Sequence, residues 1–108
     1  MFIPTRAVLK RVLTLSVAGT RGGIVRLQIL LALEKRPLNI NEMSKMFSLD
    51  YKSIQHHTRV LERSGLIAPS GRKYANSYSL SSLLKVHKSV LIEIKRELGK
   101  SRYSESNK

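Results

Sequence analysis

Two adjacent histidines, His56 and His57, are the residues of this chain that could most readily do chemistry. An imidazole can ligate a metal ion, transfer a proton, or donate and accept hydrogen bonds. Both lie in "LDYKSIQHHTRVLERSGLI", residues 49–67, where the spacing of apolar residues predicts a helix. Because adjacent helical positions diverge around the axis, the two rings cannot hold one metal ion from the same side.

The rest of the chain offers these histidines no chemical partner. His87 is the third histidine, and no cysteine or carboxylate stands at ligand spacing from it. The chain contains no cysteine at all, which excludes disulfides, zinc–thiolate sites and cysteine nucleophiles. No histidine has a nucleophile or a paired acid placed for catalysis. We therefore expect no metal, no cofactor and no enzymatic activity, and interpret the chain as a binding protein.

The predicted helix at 51–64 has two chemically different faces. At about 100° per residue, Ile54, Thr58 and Leu61 share one narrow sector that should pack on a core, with His57 at its edge. The opposite side carries basic and amide side chains, namely Lys52, Gln55, His56, Arg59 and Arg63. In the major groove of DNA, arginine pairs with guanine and glutamine with adenine. An ordinary solvated helix face is the alternative interpretation.

The overall charge also indicates a polyanionic partner. The 108 residues include 20 Lys and Arg against 7 Asp and Glu, a formal net charge of +13. Such a charge on a small domain opposes folding through self-repulsion, so a partner that neutralises it is expected. Nucleic acid is the first candidate and an anionic membrane surface the second, while a purely solubilising surface stays an alternative.

Nothing in the sequence predicts export or a membrane span. Lys10 and Arg11 precede the apolar run "VLTLSVAG", which superficially resembles a signal peptide, but the run is short and contains Thr14 and Ser16. No apolar segment is long enough to cross a bilayer. We expect a cytoplasmic, nucleoid-associated protein.

Helix and strand signals alternate in a definite order along the chain. Helices are predicted at 5–18, 24–35, 41–47, 51–64 and 82–98, and a strand–turn–strand hairpin at about 66–80. Asn39 followed by Glu42 has the spacing of a capping box, Asp50 is a suitable N-cap, and Gly65 suits a left-handed C-cap. A tight helix–turn–helix followed by a basic hairpin is the winged helix-turn-helix layout.

The predicted fold is therefore mostly α with a small β-hairpin wing. One winged-helix domain should occupy residues 1–98, with a core at about 20–81 and additional N- and C-terminal helices. Residues 99–108 should form a flexible basic tail.

Three segments, "TRGGIVRLQILLAL", "LNINEMSKMFSLDYKSIQHHTRVLERSGLI" and "KYANSYSLS", resemble archaeal regulators of the ArsR-type winged-helix family. This resemblance implies a homodimer that binds double-stranded DNA, with the helix at 51–64 in the major groove and the wing at 69–75 on the backbone or minor groove. The cysteine box of the metalloid-sensing members is missing, so any small-molecule effector is unknown. Thr58 and Ala75 also depart from the family pattern.

These arguments predict a specific set of DNA-binding residues. It comprises Lys45, Tyr51, Lys52, Gln55, His56, Arg59 and Arg63 in the helix-turn-helix, Arg72 and Lys73 in the wing, and Arg21 in "TRGG". "TRGG" is either a simple interhelical turn or a phosphate-binding helix start. The wing pair is either a backbone or minor-groove contact or a solvated turn.

Apolar stripes on the two terminal helices predict self-association. Along 82–98, apolar residues recur at spacings of three and four, as in a short heptad pattern. The predicted dimer interface comprises Leu9, Val12, Leu84, Leu91, Ile94 and Leu98, although packing of the two helices within one chain could absorb part of this surface. The predicted function is a sequence-selective, dimeric DNA-binding transcriptional regulator. A non-specific architectural DNA-binding protein and a protein-interaction module are the alternatives.

Overall fold

The computed structural model of the protein describes residues 5–18, 22–70 and 76–106, with side chains up to Leu98. The elements, in chain order, are α1 (Arg6–Val17), α2 (Gly23–Lys35), β1 (Leu38–Asn39), α3 (Ile40–Phe47), α4 (Tyr51–Arg63), β2 (Ile67–Pro69), β3 (Ser77–Leu80), α5 (Ser82–Val86) and α6 (Lys88–Ser106). The predicted fold class, mostly helical with a small sheet in a winged-helix arrangement, is confirmed.

A side-chain cap begins each of the helices α3 and α4, and a left-handed residue ends α3. The capping box is confirmed: Asn39 Oδ1 accepts from the backbone N–H of Glu42 at 2.8 Å, and Glu42 Oε1 accepts from the N–H of Asn39 at 3.0 Å. Ser48 ends α3 in the left-handed conformation with φ of 56°. Asp50 begins α4 as predicted, since its Oδ1 accepts from the N–H of Ser53 at 3.0 Å. These caps hold α4 at a fixed angle to α3.

The wing strands belong to a three-stranded antiparallel sheet with the order β1–β3–β2. Ile67 pairs with Leu80 across the hairpin, and Leu38 pairs with Tyr78 on the other side of β3. Gly65 has φ of 75°, the left-handed conformation that allows the chain to turn from α4 into β2. The sheet thus ties the wing to the chain segment that enters α3.

The C-terminal region differs from the single predicted helix at 82–98. The helix breaks at His87, which has φ of −112° and ψ of 42°. There the backbone N–H is shared between the carbonyls of Leu83 and Leu84, and the His87 Nδ1 lies 3.0 Å from the Leu83 carbonyl oxygen. After the break α6 packs against α1 and continues past Leu98 to Ser106. No proline or glycine marks this break, so the apolar spacing did not reveal it.

Packing of α6 against α1 buries most of the residues of the predicted dimer interface within a single chain. Leu9, Leu84, Leu91 and Ile94 are between 0% and 3% exposed and belong to the core of a single chain. Leu91 and Ile94 of α6 lie in the same buried cluster as Leu9 of α1, and Leu84 of α5 belongs to that cluster as well. Val12 and Leu98 are only half-buried.

Ion pairs also connect α1 to α6 at the edge of the contact between these two helices. Glu93 accepts from Lys10 at 2.6 Å and from Arg6 at 2.7 Å, and Glu97 lies 3.2 Å from Lys10. Hydrogen bonds to Glu93 and then to Glu97 raise the pKa of Lys10, and those from Lys10 and Arg6 lower the pKa of Glu93. The side chains in these pairs are between 32% and 54% exposed, so the pairs contribute little to stability.

No helix in the described parts of the chain is both long enough and apolar enough to cross a bilayer.

Candidate nucleic-acid interface

The recognition helix candidate, α4, is amphipathic in the way that its sequence predicts. Ile54, Thr58 and Leu61 are at most 1% exposed and face the core. The hydroxyl of Thr58 donates to the carbonyl of Gln55 at 2.8 Å, which satisfies its polar atom in this buried position. Because these three residues are buried and Asp50 caps the start of the helix, the orientation of α4 about its axis is fixed. The residues on its opposite face therefore point outward.

The outward face of α4 brings most of the predicted DNA-binding residues together. Lys52, His56, Arg59 and Arg63 are exposed, Tyr51 at the start of the helix is 47% exposed, and Gln55 is half-buried. Lys45 is exposed in the last turn of α3, on the preceding helix. Arg21, Arg72 and Lys73 lie outside the described residues.

The cations of this face are not neutralised by the protein. Within the described ranges, no carboxylate lies within 4.0 Å of the amine or guanidinium nitrogens of Lys45, Lys52, Arg59 or Arg63. Most described acids are engaged elsewhere: Glu34 with Lys88, Glu42 with Arg36, Glu93 and Glu97 with α1, and Asp50 as the cap of α4. The outward face of α4 is therefore a surface of unpaired positive charge.

A polar cleft beside Gln55 contains residues that the sequence did not predict as part of the site. Its volume is about 260 Å³, and it lies between the starts of α3 and α4 and the start of β3. Besides Tyr51 and Gln55, it is lined by Asn41, Asn76 and Tyr78. Two amides and a phenol next to a basic helix add hydrogen-bond donors suited to phosphate or sugar oxygens. Asn41, a polar residue two positions after the Asn39 cap, was the signal available in the sequence.

The two histidines lie in the different environments that their positions on the helix predict. His56 is exposed on the outward face, whereas His57 is half-buried and its Nδ1 lies 3.2 Å from Nη1 of Arg26. Because a guanidinium can only donate, Nδ1 of His57 is the acceptor and the ring is neutral with its proton on Nε2. Burial, then the charges of Arg26 and His56, lowers the pKa of His57. His57 is a structural link between α4 and α2.

Arg26 completes this link and is itself buried. The residue is only 7% exposed, and its Nε donates to the carbonyl oxygen of Ser16 at 2.6 Å. Burial lowers the pKa of Arg26. At Gly22, the residue before α2, a Cβ atom would lie 2.5 Å from Cε1 of His57 and 2.7 Å from Nη1 of Arg26, so this position has no room for a side chain. The link joins α1, α2 and the middle of α4 in one network that sequence spacing does not reveal.

No three residues among His, Asp and Glu come together as possible metal ligands in the part of the chain that the structure describes.

Comparison with known proteins assigns the chain to a family. The family model described as "Methanogenesis regulatory protein FilR1, N-terminal domain" matches residues 16–98. This range includes α2 to α5 and the first half of α6, and therefore all of the surface described above. No curated protein matches the chain.

Solved structures with the same fold include a transcriptional regulator. HlyU from Vibrio cholerae is 28% identical, with a TM-score of 0.60 over 86% of this chain and 96% of that one. The transcriptional regulator HlyU from Vibrio vulnificus is also 28% identical, with a TM-score of 0.58 over 82% and 88% of the two chains. Rv0081 from M. tuberculosis, at 20% identity and a TM-score of 0.59 over 98% and 100%, shares the fold.

Proposed function

The chain belongs to the family of the FilR1 N-terminal domain, a family of winged-helix regulators, and from this premise we propose that it is a DNA-binding transcriptional regulator that selects its sites by sequence. In this proposal α4 enters the major groove, and the wing at residues 69–75 lies on the phosphate backbone or in the minor groove. The observation that carries the proposal is the outward face of α4, which is basic and exposed and whose lysines and arginines have no carboxylate within 4.0 Å in the described residues.

The composition of that face supports base reading in addition to charge attraction. Arg59 and Arg63 stand one turn apart and can each bind a guanine edge with two hydrogen bonds. Gln55, one turn before Arg59, can bind an adenine in the same way. Lys52 lies in the first turn of α4, and Lys45 lies on α3. In this docking mode both are placed near the phosphate backbone that flanks the groove. A surface that only neutralised phosphates would need cations of either type, with no glutamine and no particular spacing.

The experiment compares a selected duplex with a scrambled one for three proteins, the wild type, Arg59→Ala and Arg96→Ala. Arg96 is an exposed arginine on α6, so its variant removes the same charge away from α4. We expect Arg59→Ala to reduce discrimination between the two duplexes by about 1–3 kcal/mol. Arg96→Ala should leave the discrimination unchanged and alter the salt dependence of both affinities slightly.

The main alternative is an architectural protein that binds DNA without selectivity. It shares the basic face but predicts that Arg59→Ala weakens binding to both duplexes equally. An equal loss would therefore refute the selective function. A protein-interaction module, the less favoured alternative, predicts no salt-dependent binding to either duplex.

We also propose that the regulator is a homodimer and that it is related to the ArsR-type winged-helix proteins. In this proposal it has no enzymatic activity and acts on the nucleoid in the cytoplasm. Because four of the predicted interface residues are buried, the self-association surface proposed here is the outer stripe of α1. Val8 and Leu15 are 37% and 67% exposed, and half-buried Val12 lies between them on the same side of the helix.

A dimer through this stripe has a direct test. Leu15→Glu places a carboxylate in the stripe and should yield a monomer in sedimentation velocity at a concentration where the wild type is dimeric. Val86→Glu is the matched control, because Val86 is 78% exposed on α5 and lies outside the stripe. A wild-type monomer at micromolar concentration would refute the dimer and leave the DNA-binding proposal to its own test.

A further inference from the structure

An open apolar groove lies between α2, the end of α3 and α6, on a side of the domain formed by none of the residues of α4. Its volume is about 480 Å³, within the range of pockets that hold small organic ligands. The walls are Leu31 and Ala32 of α2, Phe47 of α3, and Leu91 and Ile92 of α6. Ile92 is 54% exposed, so the groove presents apolar surface to solvent.

Charged side chains at the edge of the groove define what it can bind. Lys35 of α2 and both Lys88 and Lys95 of α6 line it, and Glu34 is the one carboxylate among the lining residues. Glu34 lies 3.6 Å from Lys88, which neutralises one of the three amines. Lys35 and Lys95 have no carboxylate within 4.0 Å in the described portion of the chain. The groove is therefore apolar inside and positively charged at its edge.

We propose that this groove binds a small organic anion with an apolar body, such as an aliphatic carboxylate, whose acid group meets Lys35 and Lys95. A second copy of this chain is the poorer occupant, because it would bring a protein of net charge +13 against the same lysines. A cationic or neutral amphiphile would fill the apolar walls and leave the amines without a partner.

The position of Phe47 couples the groove to α4. Phe47 is the last residue of α3, directly before the left-handed Ser48 and the turn that leads to the Asp50 cap. A ligand that contacts Phe47 acts on the segment that sets the angle between α3 and α4. Ligand binding should therefore change DNA affinity, a consequence that rests on the proposed function, whereas the binding itself does not.

The experiment titrates the isotope-labelled protein with decanoate, decanol and the decylammonium ion while amide NMR shifts are recorded. We expect decanoate to shift the amides around Leu31, Phe47 and Ile92 and to bind more tightly than decanol, by about two- to five-fold for each lysine that it contacts. Decylammonium should bind more weakly than decanol. Equal binding of all three amphiphiles, or decanoate shifts located elsewhere, would overturn the proposal.

Two pairs of variants localise the site. Ile92→Glu puts a carboxylate into the groove and should abolish decanoate binding, while Val86→Glu, an exposed residue outside the groove, should bind decanoate as the wild type does. Lys35→Ala with Lys95→Ala should bring decanoate affinity down to that of decanol, and Lys85→Ala with Arg96→Ala should not. If Ile92→Glu instead converts a dimer to a monomer, the groove is a self-association surface and the ligand site is refuted.

A DNA-binding measurement with and without decanoate separates this inference from the proposed function. We expect a change in affinity for the selected duplex of about five-fold or more in the wild type and no change in Ile92→Glu. An unchanged affinity in the wild type overturns the coupling through Phe47. If no duplex is bound at all, the proposed function fails while the NMR result still decides the ligand site.

Discussion

Truncation of Leu91 to alanine tests whether the contact between α1 and α6 is the core of one chain or a seam between two. Leu91 is 1% exposed and belongs to the same buried cluster as Leu9 and Leu13 of α1. Removing a buried leucine side chain costs roughly 2–5 kcal/mol, because the lost apolar contacts leave a cavity that closes only in part. Against a total stability of about 5–15 kcal/mol for a small domain, this is a large fraction.

Chemical and thermal unfolding at several protein concentrations give the answer. In a domain of this size, about 1 kcal/mol shifts the melting temperature by roughly 4–8 °C, so Leu91→Ala should lower it by about 8–40 °C. The loss should be the same at every protein concentration, because the contact lies within one chain. Leu15→Ala is the matched control, since Leu15 is 67% exposed, and in dilute protein it should change the free energy of unfolding by less than about 0.5 kcal/mol.

Two results would refute the assignment of Leu91 to the core of one chain. The first is a destabilisation below about 1 kcal/mol, which no fully buried leucine shows. The second is a destabilisation that disappears as the protein concentration rises, because only an intermolecular contact is restored by mass action.

Three further predictions follow from the link between α2 and α4 and from the histidines. Gly22→Ala should lower the free energy of unfolding in urea by roughly 1–3 kcal/mol, because the new Cβ would overlap His57 and Arg26; a neutral substitution would show that the link is loose. The folded state binds fewer protons than the unfolded state between the lowered pKa of His57 and its ordinary value of 6.5, so stability should fall as the pH drops through this window. His57→Gln should flatten that slope and His87→Gln should not, as measured by melting temperature against pH. Chelator treatment should change neither the melting temperature nor DNA affinity, whereas stoichiometric zinc in the purified protein would show that a histidine site was missed.

Local signals in the sequence predicted the elements that position α4. Asn39 with Glu42, Asp50 and Gly65 each act through hydrogen bonds or backbone conformation within a few residues, so their identity and spacing were enough. The same holds for the division of α4 into a buried and an outward face, because burial of Ile54 follows from helical periodicity alone.

The apolar stripe of the C-terminal helix shows where such reasoning ends. Periodicity indicates that one face of a helix is covered, but it does not indicate whether the covering surface belongs to the same chain. Leu91 and Ile94 satisfy a heptad pattern equally well against α1 of their own chain and against a partner, and the break at His87 decides between them by turning α6 back onto α1. The contact between Arg26 and His57 is a similar case, since it joins residues on separate helices through side chains whose spacing in the sequence carries no period.

The chain has a net charge of +13, but only the folded structure indicates where the unpaired cations lie. Four of the acids have a structural partner. Asp50 and Glu42 accept hydrogen bonds from backbone N–H groups at helix starts, and Glu93 and Glu97 form ion pairs with α1. Folding therefore leaves the lysines and arginines on the outward face of α4 without a carboxylate within 4.0 Å in the described residues. A polyanion that binds there replaces mobile counterions without disturbing any ion pair that supports the fold, so DNA binding should carry the salt dependence of free cations and no cost in stability. The charge of the chain and the position of its few acids thus support the same partner by independent routes.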